Sequence, residues 1–388
     1  MGMAILATFA RASVTCPSEL YLDEVIGEGG TRESLRLFAG GSKESWQEVR
    51  LQVDPTNGDK SLLFPKKEFM TESYIWSDRI LFYGDEFTAA FIPKKPPCEA
   101  TWGREILSNG RSAWLFSCSK PSEFKSTITY NAKNGVISSK YYNYHFNKEN
   151  HILFNRIELR EAGQSFDIAW QSDVNIHADV KNFFSFNFGP SDITSILEDY
   201  RLGPVGLVGK VSFYLNMLFF KIKLALVTNV HFFDRSVYIP MVMHAPVNLS
   251  KYLHKKSGIV YAWKSPSSYL LKNIPRATGP HHISEMENPC VSSYCAFSLF
   301  SKDIFKMQFH IPKDMYERQF FPIWVKANEE NQSIIPALKK LDGSNGLYFE
   351  ISSLEKGDHR WDFWMALAST ENESCPSKAA WGKTWKRN

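Results

Sequence analysis

Between residues 220 and 232 apolar and polar side chains alternate. Phe220, Ile222, Leu224, Leu226, Val230 and Phe232 fall on one face, and Lys221, Lys223, Asn229 and His231 on the other. A period of two belongs to an extended strand, whose successive side chains point to opposite faces. The stretch therefore predicts a long antiparallel strand with one buried and one wet face. Lys210, Asn216, Lys221 and Lys223 also interrupt the apolar run 205–233. A membrane-spanning helix needs roughly 18 or more apolar residues in succession, so this run is not read as one.

Shorter alternating stretches occupy 49–53, 80–83, 87–92, 112–117, 127–130, 136–146, 152–159 and 237–243. Asn109-Gly110 and Asn134-Gly135 supply the residues that two-residue hairpin turns demand. Pro240 implies an edge strand or a bulge in the last of these stretches, because proline cannot donate to a ladder. Strands resume at 296–300, 305–311, 321–327, 347–351 and 359–367, after a proline-rich loop at 264–294. The clearest helical candidate is 192–200, with Ser191 or Asp192 as cap and Leu202-Gly203-Pro204 as terminator. Aromatic residues make up 14% of the chain and suit pleated surfaces. The expected fold is mostly β, an antiparallel β-sandwich or super-sandwich with few short helices. It divides either into 13–195 and 196–388, with 1–12 as a signal-peptide remnant, or forms one continuous sandwich. No repeat of fixed period points to a propeller or solenoid.

Residues 3–10 are apolar and uncharged, and Ala10-Arg11-Ala12 matches a small-x-small cleavage pattern. The six cysteines contain no C-x-x-C pair, which argues against a zinc ribbon or a thioredoxin-like site. Six cysteines allow fifteen pairings. One plausible set joins Cys98 to Cys118 across the Asn109-Gly110 hairpin and Cys290 to Cys295 across a short loop, leaving Cys16 and Cys375 for each other. Both features point to export into an oxidising compartment, periplasmic or extracellular.

The 45 basic and 41 acidic residues are interspersed, giving a net charge of +4. No concentrated basic face is available for nucleic acid. Gly27-Glu-Gly29-Gly30 lacks the lysine and the context of a phosphate cradle, and no G-x-S-x-G elbow is present. His281, His282 and Glu285 are the candidate metal ligands, but adjacent histidines point apart and a solvated loop explains them better. No cofactor is expected. Asp54, Asp78, Asp85 and Glu86 are carboxylates of one region that a glycan hydrolase would have to bring face to face. Tyr141, Tyr142, Tyr144 and His145, with Lys140, would suit a lyase, although a tyrosine-rich ladder is also ordinary cross-strand packing. Trp102, Tyr261, Trp263 and Tyr269 flank loops and offer rings for sugar stacking. Trp361 and Trp364 face opposite sides of one strand, which places one of them in the core. The basic, aromatic tail at 383–388 reads as a frayed terminus.

Three stretches carry a resemblance: Val49-Arg-Leu-Gln52-Val-Asp54, then Asp78-Arg-Ile-Leu-Phe82, then Ser112-Ala-Trp114-Leu-Phe116 before a tyrosine-rich hairpin. Over roughly residues 46–145 the chain resembles a diffuse group of uncharacterised exported bacterial β-sandwich proteins. It departs from them where Pro55 replaces an acidic residue. The resemblance implies export and a sandwich, and carries no activity. The functional expectation is an envelope-associated protein with a non-catalytic binding role towards glycan or protein. The alternative is a polysaccharide-active lyase or hydrolase on the same scaffold. Alkylation of native, unreduced protein should leave all six cysteines unmodified, as read by intact mass. Six modified thiols would place the chain in a reducing compartment.

Overall fold

The computed structural model describes residues 17–22, 30–40, 45–59, 62–64, 70–89, 95–100, 102–161, 164–217, 220–265, 269–276, 289–291, 293–301, 305–339, 341, 344–367 and 379–386. Their strands form four antiparallel sheets, accompanied by two short α-helices, Lys313–Glu317 and Glu329–Ile334. A three-stranded sheet runs Ser18–Tyr21, Arg79–Phe82, Leu51–Asp54. A five-stranded sheet runs Ala379–Lys386, Trp102–Ser108, Arg111–Ser117, Leu35–Gly40, Trp46–Val49. The first nine-stranded sheet runs Ile323–Lys326, Asn345–Glu350, Gly258–Lys264, Gln164–Asp179, Phe154–Glu161, Tyr142–Phe146, Val136–Ser138, Thr129–Asn131, with Ser185–Phe188 paired to 164–179. The second runs Ile193–Leu202, Gly206–Met217, Phe220–Phe233, Ser236–Ala245, Gly357–Leu367, Phe305–Pro312, Tyr294–Ser301, Leu270–Lys272, with Cys290–Val291 paired to 294–301. The first nine-stranded sheet therefore draws strands from both sides of residue 195, and the five-stranded sheet joins residues 35–117 to 379–386.

Side-chain alternation stacks the sheets. Tyr144, Phe154, Ile157 and Phe349 of the first nine-stranded sheet meet Phe232, Phe297, Phe309 and Met365 of the second in one core. The Tyr144 and Phe232 rings lie 5.1 Å apart and edge-on, the arrangement that aromatic quadrupoles favour. A smaller sandwich forms where Leu51, Val53, Ile80 and Phe82 pack on Leu35, Leu37, Ile106 and Leu115. Its three-stranded sheet then lies with its other face on the second nine-stranded sheet, where Leu81 and Tyr83 meet Val205, Phe233 and Trp364. All four residues of 51–54 and all four of 79–82 are buried.

That packing corrects several expectations. His231 does not face water; it is 1% exposed, because the three-stranded sheet covers the outer face of its strand. Trp361 and Trp364 do face opposite sides, but both are buried, one between the large sheets and the other beneath the small one. Residues 192–200 are not a helix. Ile193–Leu202 pairs with Gly206–Met217, and Gly203 donates to Gly206 O at 2.8 Å to close the hairpin. Ser195 is fully buried there and accepts from Ile152 N at 2.6 Å, a tertiary bond that outweighs local propensity. Strand 236–245 is central, between 220–233 and 357–367, and its ladder to 220–233 lapses beside Pro240, where a donor is missing. The stretch 136–146 is two strands, turned where Ser139 Oγ accepts from Tyr141 N and Tyr142 N. The stretch 49–53 likewise divides at Arg50, which leaves one sheet for another. The tail is not frayed at 379–386, which pairs with Trp102–Ser108.

Two expected disulfides are present. Cys98–Cys118 spans the hairpin of 102–108 and 111–117, whose turn has Asn109 and Gly110 at φ 51° and 73°. It holds the 95–100 segment over Trp46, Trp114 and Phe116. Cys290–Cys295 joins directly paired residues. Cys16 and Cys375 lie outside the described residues. No helix among the described residues is long and apolar enough to cross a membrane.

Burial, reinforced by the Arg79, Arg201 and Arg360 guanidiniums, holds the His231 imidazole well below its ordinary 6.5. Burial lowers His151 and His310 too. As pH falls through the unfolded value, the unfolded chain takes up protons on these rings that the folded chain refuses. Stability is thus full above about pH 6.5 and is lost progressively below it. Urea midpoints should fall between about pH 7.5 and about pH 5.5, and His231→Gln should flatten that fall by up to about 1.4 kcal/mol per pH unit. An unchanged slope would mean that the ring titrates freely in the native state.

Candidate functional site

Strand 51–54 points Leu51 and Val53 into the small sandwich, so Gln52 and Asp54 must point the other way, towards the second nine-stranded sheet. Neighbouring Arg79 does the same from 79–82. Asp54 accepts from Arg79 Nη2 at 2.6 Å and from Gln52 Nε2 at 2.9 Å, and forms an ion pair with Arg201. Arg201 also donates to Val53 O at 2.6 Å. Gln52 Oε1 accepts from Gly206 N at 2.9 Å and from Val205 N at 3.2 Å. The turn at 203–205 therefore rests on Gln52. A Cβ on Gly203 would lie 2.3 Å from Gln52 Oε1, so the close approach requires glycine.

Beside this cluster, fully buried Asp78 accepts from Arg32 Nε at 2.8 Å and from Thr56 N and Ile75 N at 2.9 Å each. Above the two arginines the surface opens into a cleft of about 390 Å3, lined by Arg32, Gln52, Met70, Phe124, Tyr200 and Arg201 among others. Tyr200 and Phe124 keep 43% and 39% of their surface exposed, so each presents ring area to solvent. Burial, with Arg32 nearby, pushes the Arg201 guanidinium down to about 9, and it stays charged at neutral pH against Asp54. The cleft thus sets two exposed aromatic rings and the exposed carboxylate of Glu33 beside guanidinium and amide groups already engaged by Asp54 and Asp78.

A second concavity, of about 140 Å3, lies between the nine-stranded sheets. Phe213, Met241, Tyr261, Phe349 and Trp361 are among its walls. Such an apolar space is of a size that stays dry.

The carboxylates considered for hydrolysis do not converge. Asp54 and Asp78 are bound by arginines as described, and Glu86 accepts from Arg50 N and Nε at 2.9 and 2.6 Å. Asp85 is the exposed residue of the 3-10 turn Gly84–Glu86. The tyrosine ladder divides by face. Tyr142 and Tyr144 are buried between the sheets, and burial raises both hydroxyls well above their ordinary value, the opposite of what a general base needs. Tyr141 Oη accepts from Arg235 Nη2 at 2.7 Å, and His145 Nε2 lies 3.5 Å from Glu158.

The loop-flanking rings are packed rather than open. Trp102 belongs to the small sandwich core. Trp263 donates to Tyr269 Oη at 2.5 Å with both buried, and Tyr261 Oη donates to Ile152 O at 3.3 Å. His281, His282 and Glu285 lie outside the described residues. Among the described residues no group of three or more His, Cys, Asp or Glu is placed to hold a metal ion. Sequence reasoning missed Arg32, Gln52, Phe124, Tyr200 and Arg201. The available signal was Gln52-x-Asp54 alternating with Leu51-x-Val53, a strand with a polar face inside an apolar neighbourhood.

No family model and no curated protein matches the sequence. Among solved structures, the chain is similar to an alpha-mannosidase from Enterococcus faecalis V583, with TM-score 0.44, 6% identity, and coverage of 96% of this chain and 45% of that one. It is also similar to a glycosyl hydrolase family 38 protein from Enterococcus faecalis, with TM-score 0.43, 6% identity, and coverage of 96% and 46%. The chain spans less than half the length of either protein. A likeness this distant says nothing about activity.

Breaking a buried pair by removing one partner costs about 3–5 kcal/mol, because the other charge stays buried. Asp54→Asn should destabilise the fold by roughly that much in urea titration, since Arg201 loses its counter-ion and Arg79 keeps only Glu19 at 3.4 Å. A loss under about 1 kcal/mol would mean that water already serves these guanidiniums.

Proposed function

We propose that this is an exported, envelope-associated protein that binds a glycan in the 390 Å3 cleft between the three-stranded sheet and the 200–204 turn, without turning it over. The observation that carries the reading is the pair of exposed rings, Tyr200 and Phe124, set beside guanidinium and amide donors. Saccharides present apolar ring faces edged with hydroxyls, so a site for them needs a stacking platform and a few placed polar groups. Two disulfides suit a periplasmic or secreted protein. The non-catalytic part rests on chemistry. Glycoside hydrolysis needs two facing carboxylates with separated pKa values, whereas Asp54 and Asp78 are each locked by arginine and Glu33 is the one acid lining the cleft. A lyase base would need an accessible tyrosine, and Tyr142 and Tyr144 are sealed in the core.

Oxidised protein should bind an oligosaccharide from a panel of envelope and extracellular glycans, measured by calorimetry. Tyr200→Ala and Phe124→Ala should each weaken binding about fivefold to tenfold, equivalent to about 1–1.4 kcal/mol. Release of new reducing ends by the same protein would move the reading to a polysaccharide-active enzyme. Binding that both variants leave unchanged would remove the cleft as its site.

A further inference from the structure

The strand Gln164–Asp179 turns through 180–184 into Ser185–Phe188, and the turn carries the most exposed large apolar side chain among the described residues. Phe183 is 78% exposed, and Phe184 is 60% exposed. A second loop, 246–257, is fastened beside it. Val180 bridges to Leu253, Lys181 N donates to Tyr252 O at 2.8 Å, and His254 N donates to Asp179 O at 2.8 Å. Lys181 Nζ adds a bond to Ser250 O at 2.6 Å. The two loops therefore form one tip, to which Tyr252 contributes a third ring at 53% exposure. Three of the five most exposed large apolar residues described are thus gathered at one end of the first nine-stranded sheet. Isolated exposed apolar residues are unremarkable, but a cluster marks an interaction surface.

Charge selects the partner. Lys181, Lys251, Lys255 and Lys256 lie on the same two loops as the rings, the last three exposed. Across 179–188 and 246–257 Asp179 is the one carboxylate, and it already accepts from Ser185 Oγ at 3.0 Å. Phenylalanine rings and lysines on one tip match the boundary of a bilayer, where the rings enter at headgroup depth and the ammonium groups meet phosphates. Phe184, Phe186 and Phe188 continue the apolar strip along the hairpin, their centroids 4.6 and 5.8 Å apart in succession. We infer that this tip docks the protein on an anionic phospholipid bilayer. It shares no residue with the glycan cleft, so the two can be occupied together.

The test uses the full, oxidised chain in a vesicle sedimentation assay. One set of vesicles is phosphatidylcholine with about 30% phosphatidylglycerol, and the other is phosphatidylcholine alone. Binding should be at least about tenfold tighter to the anionic vesicles and should weaken from about 0.1 M to about 0.5 M salt. The double variant Phe183→Ser/Phe184→Ser should lose at least about tenfold. Lys255→Gln/Lys256→Gln should lose about tenfold or more, at roughly fivefold per lysine, and should flatten the salt dependence. All four side chains are exposed, so unchanged thermal melting should show both variants to be folded. Failure of the parent protein to sediment with anionic vesicles would overturn the inference, as would full binding by the phenylalanine variant. Ultracentrifugation showing a dimer that the phenylalanine variant dissolves would assign the tip to a second copy of the chain instead.

Discussion

Asp54, 2% exposed and held between Arg79 and Arg201, makes the interaction on which the layering depends. The strand that carries it is buried on both sides, apolar on one and ionic on the other. A slip of one residue would invert those faces, driving Gln52 and Asp54 into the cluster of Leu37, Phe82 and Leu115 and leaving Leu51 and Val53 against two guanidiniums. A buried ion pair adds little net stability over an apolar replacement of the same shape. Its consequence here is register. With 51–54 fixed, Gln52 can receive the backbone of 205–206, and the end of the strand Ile193–Leu202 that carries Tyr200 and Arg201 takes its place at the cleft.

The strands were legible because alternation is a local property. So were the hairpin at Asn109-Gly110, whose positive φ values demand those residue types, and the pairing of Cys98 with Cys118 across it. Local reasoning failed where a distant partner decided the outcome. Residues 192–200 carry a plausible cap and a plausible stop, yet Ser195 bonds to Ile152 and the stop is a hairpin turn. Arg50 divides an apparently continuous strand because its backbone and side chain are both held by Glu86, and its guanidinium pairs with Asp234 far along the chain. Nothing near position 50 in sequence announces either partner.

A second lesson concerns faces. Alternation says that a strand has two environments, and it does not say that the polar one is water. His231 and Tyr238 lie on the outer face of a large sheet, the position that sequence patterning assigns to solvent. A third layer buries His231 and partly covers Tyr238, and Arg79 meets His231 at 3.5 Å. The same ambiguity hid the cleft. Its residues come from five separate stretches around 32, 52, 70, 124 and 201, and no two of those stretches are neighbours in sequence. Of the rings that flank loops in the sequence, Trp263 and Tyr269 satisfy each other inside the core.

The cluster beneath the cleft also constrains what the cleft can hold. Arg201 engages Val53 O and Asp54 together, and Arg32 is committed to Asp78. A strongly anionic ligand would have to draw these guanidiniums away from buried carboxylates, each of which would then carry an uncompensated charge in a poorly solvated site. Hydrogen bonds from a neutral or weakly acidic ligand require no such exchange. Recognition in this cleft therefore falls to shape, to the faces of Tyr200 and Phe124, and to donors that are already oriented by the ion pairs below them. The anionic surface, by contrast, finds its match at the tip, where Lys251, Lys255 and Lys256 are exposed.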